Sequence, residues 1–364
     1  MDMKPLAAER ARTSRALKFW IFALFAALVF LLAKIPLVAE YVFARGITRG
    51  LSWFINGITN FLPFSLYECA AVLLVLGAAA LLAGSVYLLS KKRFARFRTW
   101  MYRTGLALLA VLLAFGVLYS PLYSRGSAFT ALGLSETELT EEKIVAAAEY
   151  YVDRLNDLAA RAERDEEGNI LPTKTFGELA REVNSEFRSF KGGYFASFEV
   201  RPKAVALSVP MSYLGITGIY FPFFAEANVN VNIPAYELPF TMAHEIAHAK
   251  GVSSESEANL TAYVLCICAD DAYLNYSGLM RAVSNLLNAL PDEEYERLRG
   301  LLYPEVLQEY RNANEHYAKY EGAIDTISTF FNDLFLKSNG IASGTRNYGE
   351  TTQGLVALYE RLAG

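Results

Sequence analysis

Histidine and cysteine are both scarce in this chain, three of each among 364 residues. Three cysteines cannot build a disulfide framework. Cys69 opens an apolar run, while Cys266 and Cys268 lie two apart on an apolar helix and on different faces, so all three are expected to pack as small hydrophobes. Clustered basic charge is missing outside two segments before residue 104. With a net charge of −4, that absence excludes nucleic acid as a partner. Internal repeats and low-complexity tracts are absent too, which excludes a repeat architecture.

Apolar residues are in excess instead. They make up 53% of the chain, and the excess lies in its first third. Residues 16–38 are apolar but for Lys18 and Lys34, and two further runs cover 69–90 and 105–123. About 20 residues cross a hydrocarbon core of roughly 30 Å, so three membrane spans are expected. The first is too long for a removable signal peptide and lacks its small-residue cleavage site.

Charge placement gives these spans a direction. Lys4, Arg10, Arg12, Arg15 and Lys18 precede or enter the first, and Lys91, Lys92, Arg93, Arg96, Arg98 and Arg103 separate the second from the third. The loop between the first two holds only Arg45 and Arg49. Positive charge stays inside, so the N-terminus and the second loop are expected in the cytoplasm. Everything after the third span then lies outside the cell membrane. Residues 51–64 are apolar and aromatic but too short to span, as in an interfacial or re-entrant helix with Trp53 at headgroup level. Lys34 and Glu68, in or near spans, are positions where function is suspected by default. The expected division is a transmembrane region, 1–125, and an extracytoplasmic domain, 126–364.

The second part reads as mainly helical. A helix opened by Ser135 or Thr137 runs to about 166, and another covers 175–190. Residues 204–209, 218–223 and 227–232 read as strands, the last half-exposed because Ala227-Asn228-Val229-Asn230-Val231-Asn232 alternates strictly. Helices are then expected over 240–250, 254–274, 276–290, 293–302, 304–339 and 349–363.

Two of the three histidines stand in His244-Glu245-Ile246-Ala247-His248. Residues four apart on a helix project from one face, so His244 and His248 can hold one Zn²⁺. Glu245 lies on the flank, where its carboxylate reaches a metal-activated water without being a ligand. Apolar neighbours such as Phe240, Ala243, Ile246 and Ala247 mark the helix as buried, and a buried polar face without a partner is costly. A catalytic site needs a third protein ligand. Glu255 and Glu257 both follow the turn at Gly251. Ser254 and Glu257 have capping-box spacing, which gives Glu257 a local task. Glu255 is therefore favoured as the ligand, Glu257 remains the alternative, and Asn259 is placed one turn on to hydrogen-bond a ligand. His316, Tyr276 and Tyr348 are candidates for stabilising an oxyanion. Residues 215–232, just before the metal helix, are placed to offer an edge strand to which an extended peptide could add.

Several blocks together resemble the DUF3810 family of bacterial membrane proteins. They are Leu62-Pro63-Phe64-Ser65-Leu66-Tyr67-Glu68, Ser212 through Tyr220, Glu226-Ala227-Asn228-Val229-Asn230, the His244–Gly251 segment, Glu257-Ala258-Asn259, Tyr276-Ser277-Gly278 and Leu336-Lys337-Ser338-Asn339-Gly340. The resemblance implies a membrane-anchored zinc-dependent peptidase and brings no substrate with it. More distantly, Glu255-x-x-Ala258-Asn259 looks like the Glu-x-x-Ala-Asp/Asn helix of the membrane-bound CAAX-type and the ImmA/IrrE-like peptidases. There the first Glu is the third ligand, though the spacing here is much shorter. The run from His244 to Gly251 also echoes the metzincins, but Ser254 stands where their third histidine would be.

The expected protein is a mainly α membrane protein: three transmembrane helices, then a zincin-like α+β extracytoplasmic domain with a small β-sheet. Its expected partners are a peptide or protein substrate and the lipid bilayer. Its expected activity is peptide hydrolysis, with Zn²⁺ held by His244, His248 and Glu255 and with Glu245 as general base. The competing expectations are a zinc-binding membrane sensor and an inactive scaffold.

Overall fold

A computed structural model describes the backbone of residues 3–322, 326 and 348–364, with side chains from residue 15. The chain divides into two compact units. One comprises Met1–Ser52 and Tyr67–Gly126, the other Trp53–Leu66 and Ser127–Gly364.

The first unit holds three segments long and apolar enough to cross a membrane: Arg15–Ala33, Leu66–Ser90 and Phe94–Leu118. They lie in helices α1 (Met3–Ala33), α3 (Leu66–Ser90) and α4 (Phe94–Leu118). Helix α1 stops five residues short of the expected 38. Pro36 has no N–H to continue the hydrogen-bond ladder, and the chain restarts as π-helical turns over Val38–Ile47. Helix α4 begins earlier than expected and ends before Pro121, which sits in a 3₁₀ turn over Ser120–Ser124. Small residues let these helices approach closely. A Cβ on Gly116 would meet Phe30 at 3.0 Å, and one on Gly105 would meet Phe19 at 3.1 Å. Lys34 follows the end of α1, and Glu68 lies in the first turn of α3. Glu40 accepts from Arg45 Nε at 2.6 Å and Arg125 Nε at 2.9 Å, tying the π-helical segment to the chain after α4.

The second unit is mostly helical around a three-stranded mixed sheet. Helix α2 (Thr48–Thr59) leads into it, and short α5 (Ala128–Ala131) opens its longer part. Thr140 caps α6 (Glu141–Ala159), so that helix starts and ends later and earlier than the sequence suggested. Thr175 and Glu178 form the capping box of α7 (Phe176–Glu186). The strands are β1 (Lys203–Val205), β2 (Gly218–Phe221) and β3 (Glu226–Asn230), in the order β1-β3-β2. Strand β3 runs parallel to β1 and antiparallel to β2. The strand expected over 204–209 stops at Val205, and α8 (Ser208–Tyr213) follows, with Pro210 tolerated in its first turn.

The expectation of a half-exposed strand at 227–232 is corrected: β3 is central and all five of its residues are buried. Its polar side chains are accommodated because each finds a partner. Asn228 Oδ1 accepts from Ser65 Oγ at 2.6 Å, Glu226 Oε2 from the Leu66 N–H at 2.9 Å, and Asn230 donates to Ser212 Oγ at 3.0 Å.

Helices α9 (Glu237–Ala249), α10 (Glu255–Cys268) and α11 (Ala272–Leu287) form the core with α6. The two helices expected over 254–274 and 276–290 are both present, but the break between them comes earlier, because Asp271 caps α11 by accepting from the Tyr273 and Leu274 N–H groups. Gly278 lets α11 close onto α10, where an added Cβ would meet Cys266 Cβ at 2.8 Å. Cys266 is buried as expected, whereas Cys69 and Cys268 are exposed. Helices α12 (Asp292–Arg299) and α13 (Pro304–Ala318) follow, then a helix over Tyr348–Ala363. The rest of the expected 304–339 helix lies largely outside the described residues.

Candidate metal centre

Helix α9 packs on the sheet face formed by Ala227 and Val229 of β3. Gly218 and Tyr220 of β2, paired with Val229 and Ala227, turn the same way. The chain then reverses over Lys250–Ser254. Gly251 takes φ +106, a left-handed conformation that favours glycine, and the Val252 N–H bonds back to the Ala247 carbonyl at 3.1 Å. Val252 is buried, which anchors the turn. Lys250 fixes it further by donating to the Phe198 carbonyl at 2.7 Å. Helix α10 therefore starts beside the end of α9, with Glu255 as its first residue.

This places three ligand-type side chains together. His244 Nε2 and His248 Nε2 are 3.0 Å apart. Glu255 Oε2 lies 3.2 Å from the first and Oε1 3.6 Å from the second. Ligands about 2.0–2.1 Å from one zinc in a tetrahedron are themselves about 3.3 Å apart, so the donor set fits that ion. The outer contacts fit as well. His248 Nδ1 donates to the Val252 carbonyl at 2.7 Å, so when the ring gives up its other proton, as a metal ligand must, the lone pair is on Nε2, toward the cluster. Asn259 sits beside His244, where it favours the charged ring.

Glu245 is buried, and a Cβ added to Gly218 would lie 2.5 Å from its Oε1. The Tyr220 N–H donates to its carboxylate, while Oε2 has no hydrogen-bond partner among the described residues. Burial pushes this carboxyl up to about 8, with His248 lowering it and the Glu255 charge raising it. Burial also holds His244 below its ordinary value, against the pull of Glu255. For His248 burial is outweighed by Glu255, by the hydrogen bond to it and by Glu245, so its pKa rises to about 9. Burial opposes the charge on Glu255 too, but His248 and the hydrogen bonds from both histidines carry its pKa well below the carboxylate range. The Glu255 side chain is 48% exposed against 14% for His244, so it forms the solvent side of the cluster.

A family model described as "Protein of unknown function (DUF3810)" matches residues 43–356. The chain belongs to the DUF3810 family. The matched range takes in the whole sheet and both helices that supply the cluster in this DUF3810 chain. No curated protein and no solved structure matches the chain.

The other residues singled out by sequence have different surroundings. Glu257 is not part of a capping box. Ser254 makes no side-chain cap bond and instead contacts Ser256 Oγ at 2.8 Å, and Glu257 Oε1 accepts from the Ala128 N–H at 2.9 Å. Tyr276 is committed to a buried network, donating to Glu309 Oε2 at 2.5 Å and accepting from Arg164 at 3.0 Å. His316 Nε2 bonds to the Asn232 carbonyl at 3.0 Å. The Tyr348 side chain lies outside the described residues. Sequence reasoning missed Gly218, Tyr220 and the Val252 carbonyl. For Gly218 a signal existed, since glycine inside a strand marks a close approach.

Proposed function

We propose that this protein is a membrane-anchored zinc peptidase whose metal is held by His244, His248 and Glu255. The observation that carries this reading is the unpartnered Glu245 oxygen, buried beside a convergent His-His-Glu set. An inert helix would leave no carboxylate buried in that way. Zinc in that position supplies a Lewis acid that brings the pKa of a water near neutrality. Glu245 takes the proton of the attacking water and passes it to the leaving amine. The peptide C–N bond breaks, the water oxygen joins the acyl carbon, and the amine leaves protonated. A carboxyl whose pKa lies near 8 before a cation stabilises its charge is poised for both halves of that exchange.

Strand β2 ends the sheet order, and no strand pairs with its outer edge among the described residues. That edge, rather than β3, suits a substrate added in extended form beside Glu245. We read the second unit as a zincin-like domain on the external side, because the basic loops flank the first and third apolar helices on the other side.

The test pairs zinc analysis of the purified chain with a casein or peptide-library assay of the wild type and Glu245→Gln. Zinc in both proteins with activity only in the wild type supports the peptidase. Zinc with no activity in either would leave a zinc sensor, and no zinc at all would leave a scaffold.

A further inference from the structure

The segment Trp53–Leu66 belongs to the unit that carries the histidine pair, and its amphipathicity is reversed for a helix facing water. Asn56 and Thr59 are buried and donate to the carbonyls of Ala225 and Phe224, each at 3.2 Å, in the turn between β2 and β3. Asn60 donates to the Glu199 carbonyl at 3.0 Å. The polar face is thus spent on protein. Trp53, Phe54, Ile58 and Phe61 point outward, 62%, 60%, 55% and 84% exposed. A continuous apolar face of that kind needs a cover. The chain itself points to lipid as the cover: the helix that follows directly, from Leu66, is one of three long and apolar enough to cross a membrane. An aromatic-rich segment next to such a helix belongs at the headgroup boundary.

The sheet then sets a height for the site. Asn228 and Glu226 face this segment through Ser65 and Leu66. Their neighbours on β3, Ala227 and Val229, face the opposite way with Gly218, which touches Glu245. The end of the segment, from Thr59 to Leu66, and the metal helix therefore lie on opposite faces of a single sheet; Lys203, level with Asn228, donates to the Thr59 and Leu62 carbonyls at 2.9 and 2.6 Å on the same side. Layers packed on a sheet stand about 10 Å from it, so the Glu245 carboxylate stands about 15 Å from the backbone of that stretch and about 20 Å from what the apolar face of the segment touches. An extended chain covers that distance in about six to eight residues at about 3.3 Å each.

We propose that the outward face of the segment from Trp53 to Phe61 lies in the lipid interface, and that the substrates are membrane-anchored chains cut about six to eight residues from the point where they leave the bilayer. The substrate half rests on the peptidase reading above, and the lipid half does not.

The chain has three tryptophans, so W20F/W100F leaves Trp53 as a native probe. The full chain is reconstituted in phosphatidylcholine vesicles with and without brominated acyl chains. Bromolipid is expected to cut Trp53 emission by about twofold or more, with little quenching by aqueous acrylamide. Acrylamide quenching alone would show the face in water, and quenching by neither would show it covered by protein. Either result overturns the lipid half. If that variant does not fold, bimane attached at F61C in a C69S/C268S background gives the same reading. In the same vesicles, a fluorogenic peptide cleaved in the library assay is tethered to an acyl anchor through two or seven residues. The seven-residue tether is expected to be cut at least about tenfold faster, because two residues cannot span the distance. Equal rates overturn the substrate half. Failure to cut either tether or the free peptide removes the peptidase reading, while Trp53 still decides the lipid contact.

Discussion

Gly218 on β2 and Glu245 on α9 meet at a distance only glycine permits, since a Cβ at residue 218 would lie 2.5 Å from Glu245 Oε1 and 2.7 Å from its Cγ. The strand thereby holds the carboxylate from one side while the Tyr220 N–H holds it from another. Gly218→Ala must push Glu245 away, and a shift of about 1 Å at a reacting group costs about 100-fold in rate. Peptidase kcat/KM is expected to fall by that order with zinc content unchanged. Full activity in G218A would show that the carboxylate has no positional role.

The two glutamates of α10 have separable tasks. Glu255→Ala should weaken zinc binding by more than about 100-fold, since even the loss of an outer-shell partner costs about 10–100-fold. Glu257→Ala removes the acceptor of the Ala128 N–H and should cost about 1–2 kcal/mol of stability with zinc affinity intact. Zinc titration and thermal unfolding of both variants check the pair, and a reversed result would exchange the assignments.

Glu245 also predicts a pH dependence. Its folded pKa of about 8 lies above the ordinary value of 4.5, so between those pH values the unfolded chain has lost a proton that the folded chain keeps. In chelator, wild-type stability should therefore fall relative to Glu245→Gln by about 1.4 kcal/mol per pH unit across that window. Added zinc should flatten the difference, because a nearby cation favours the ionised carboxylate. Parallel melting-temperature curves for the two chelated proteins from pH 5 to pH 8 would contradict this.

The histidine pair was legible because a helical period alone brings residues 244 and 248 to one face; Gly251 marked the reversal that brings a glutamate to it, but the capping box that favoured Glu255 over Glu257 does not form, and Glu257 is turned away by the Ala128 N–H instead. The polar face of β3 was not. Asn228 reads as solvated in that alternation, yet its partner Ser65 lies 163 positions earlier, and no local pattern reports such a contact. The same is true of Tyr276. Its hydroxyl looks available in sequence, and it is occupied by Glu309 and Arg164 from distant helices and loops. Residues 204–209 misled in another way: their alternation suits a strand, but Pro210 and the side chain of Ser208, which bonds to the Val205 carbonyl at 2.6 Å, turn the chain into α8.

Tyr276→Phe tests the network reading. Removing the hydroxyl leaves buried Glu309 without one donor, which should cost about 2–3 kcal/mol. Activity per folded molecule should not change. A large fall in kcat at unchanged stability would place Tyr276 in the chemistry instead.

The central claim is that one metal ion sits between the two imidazoles and the first carboxylate of α10. Zinc per chain, measured by elemental analysis after equilibration with trace zinc, tests it most directly in the wild type and in His244→Ala/His248→Ala/Glu255→Ala. The account predicts one zinc per wild-type chain and none in the triple variant. A wild-type chain that takes up no zinc, or a triple variant that still binds one, would contradict it.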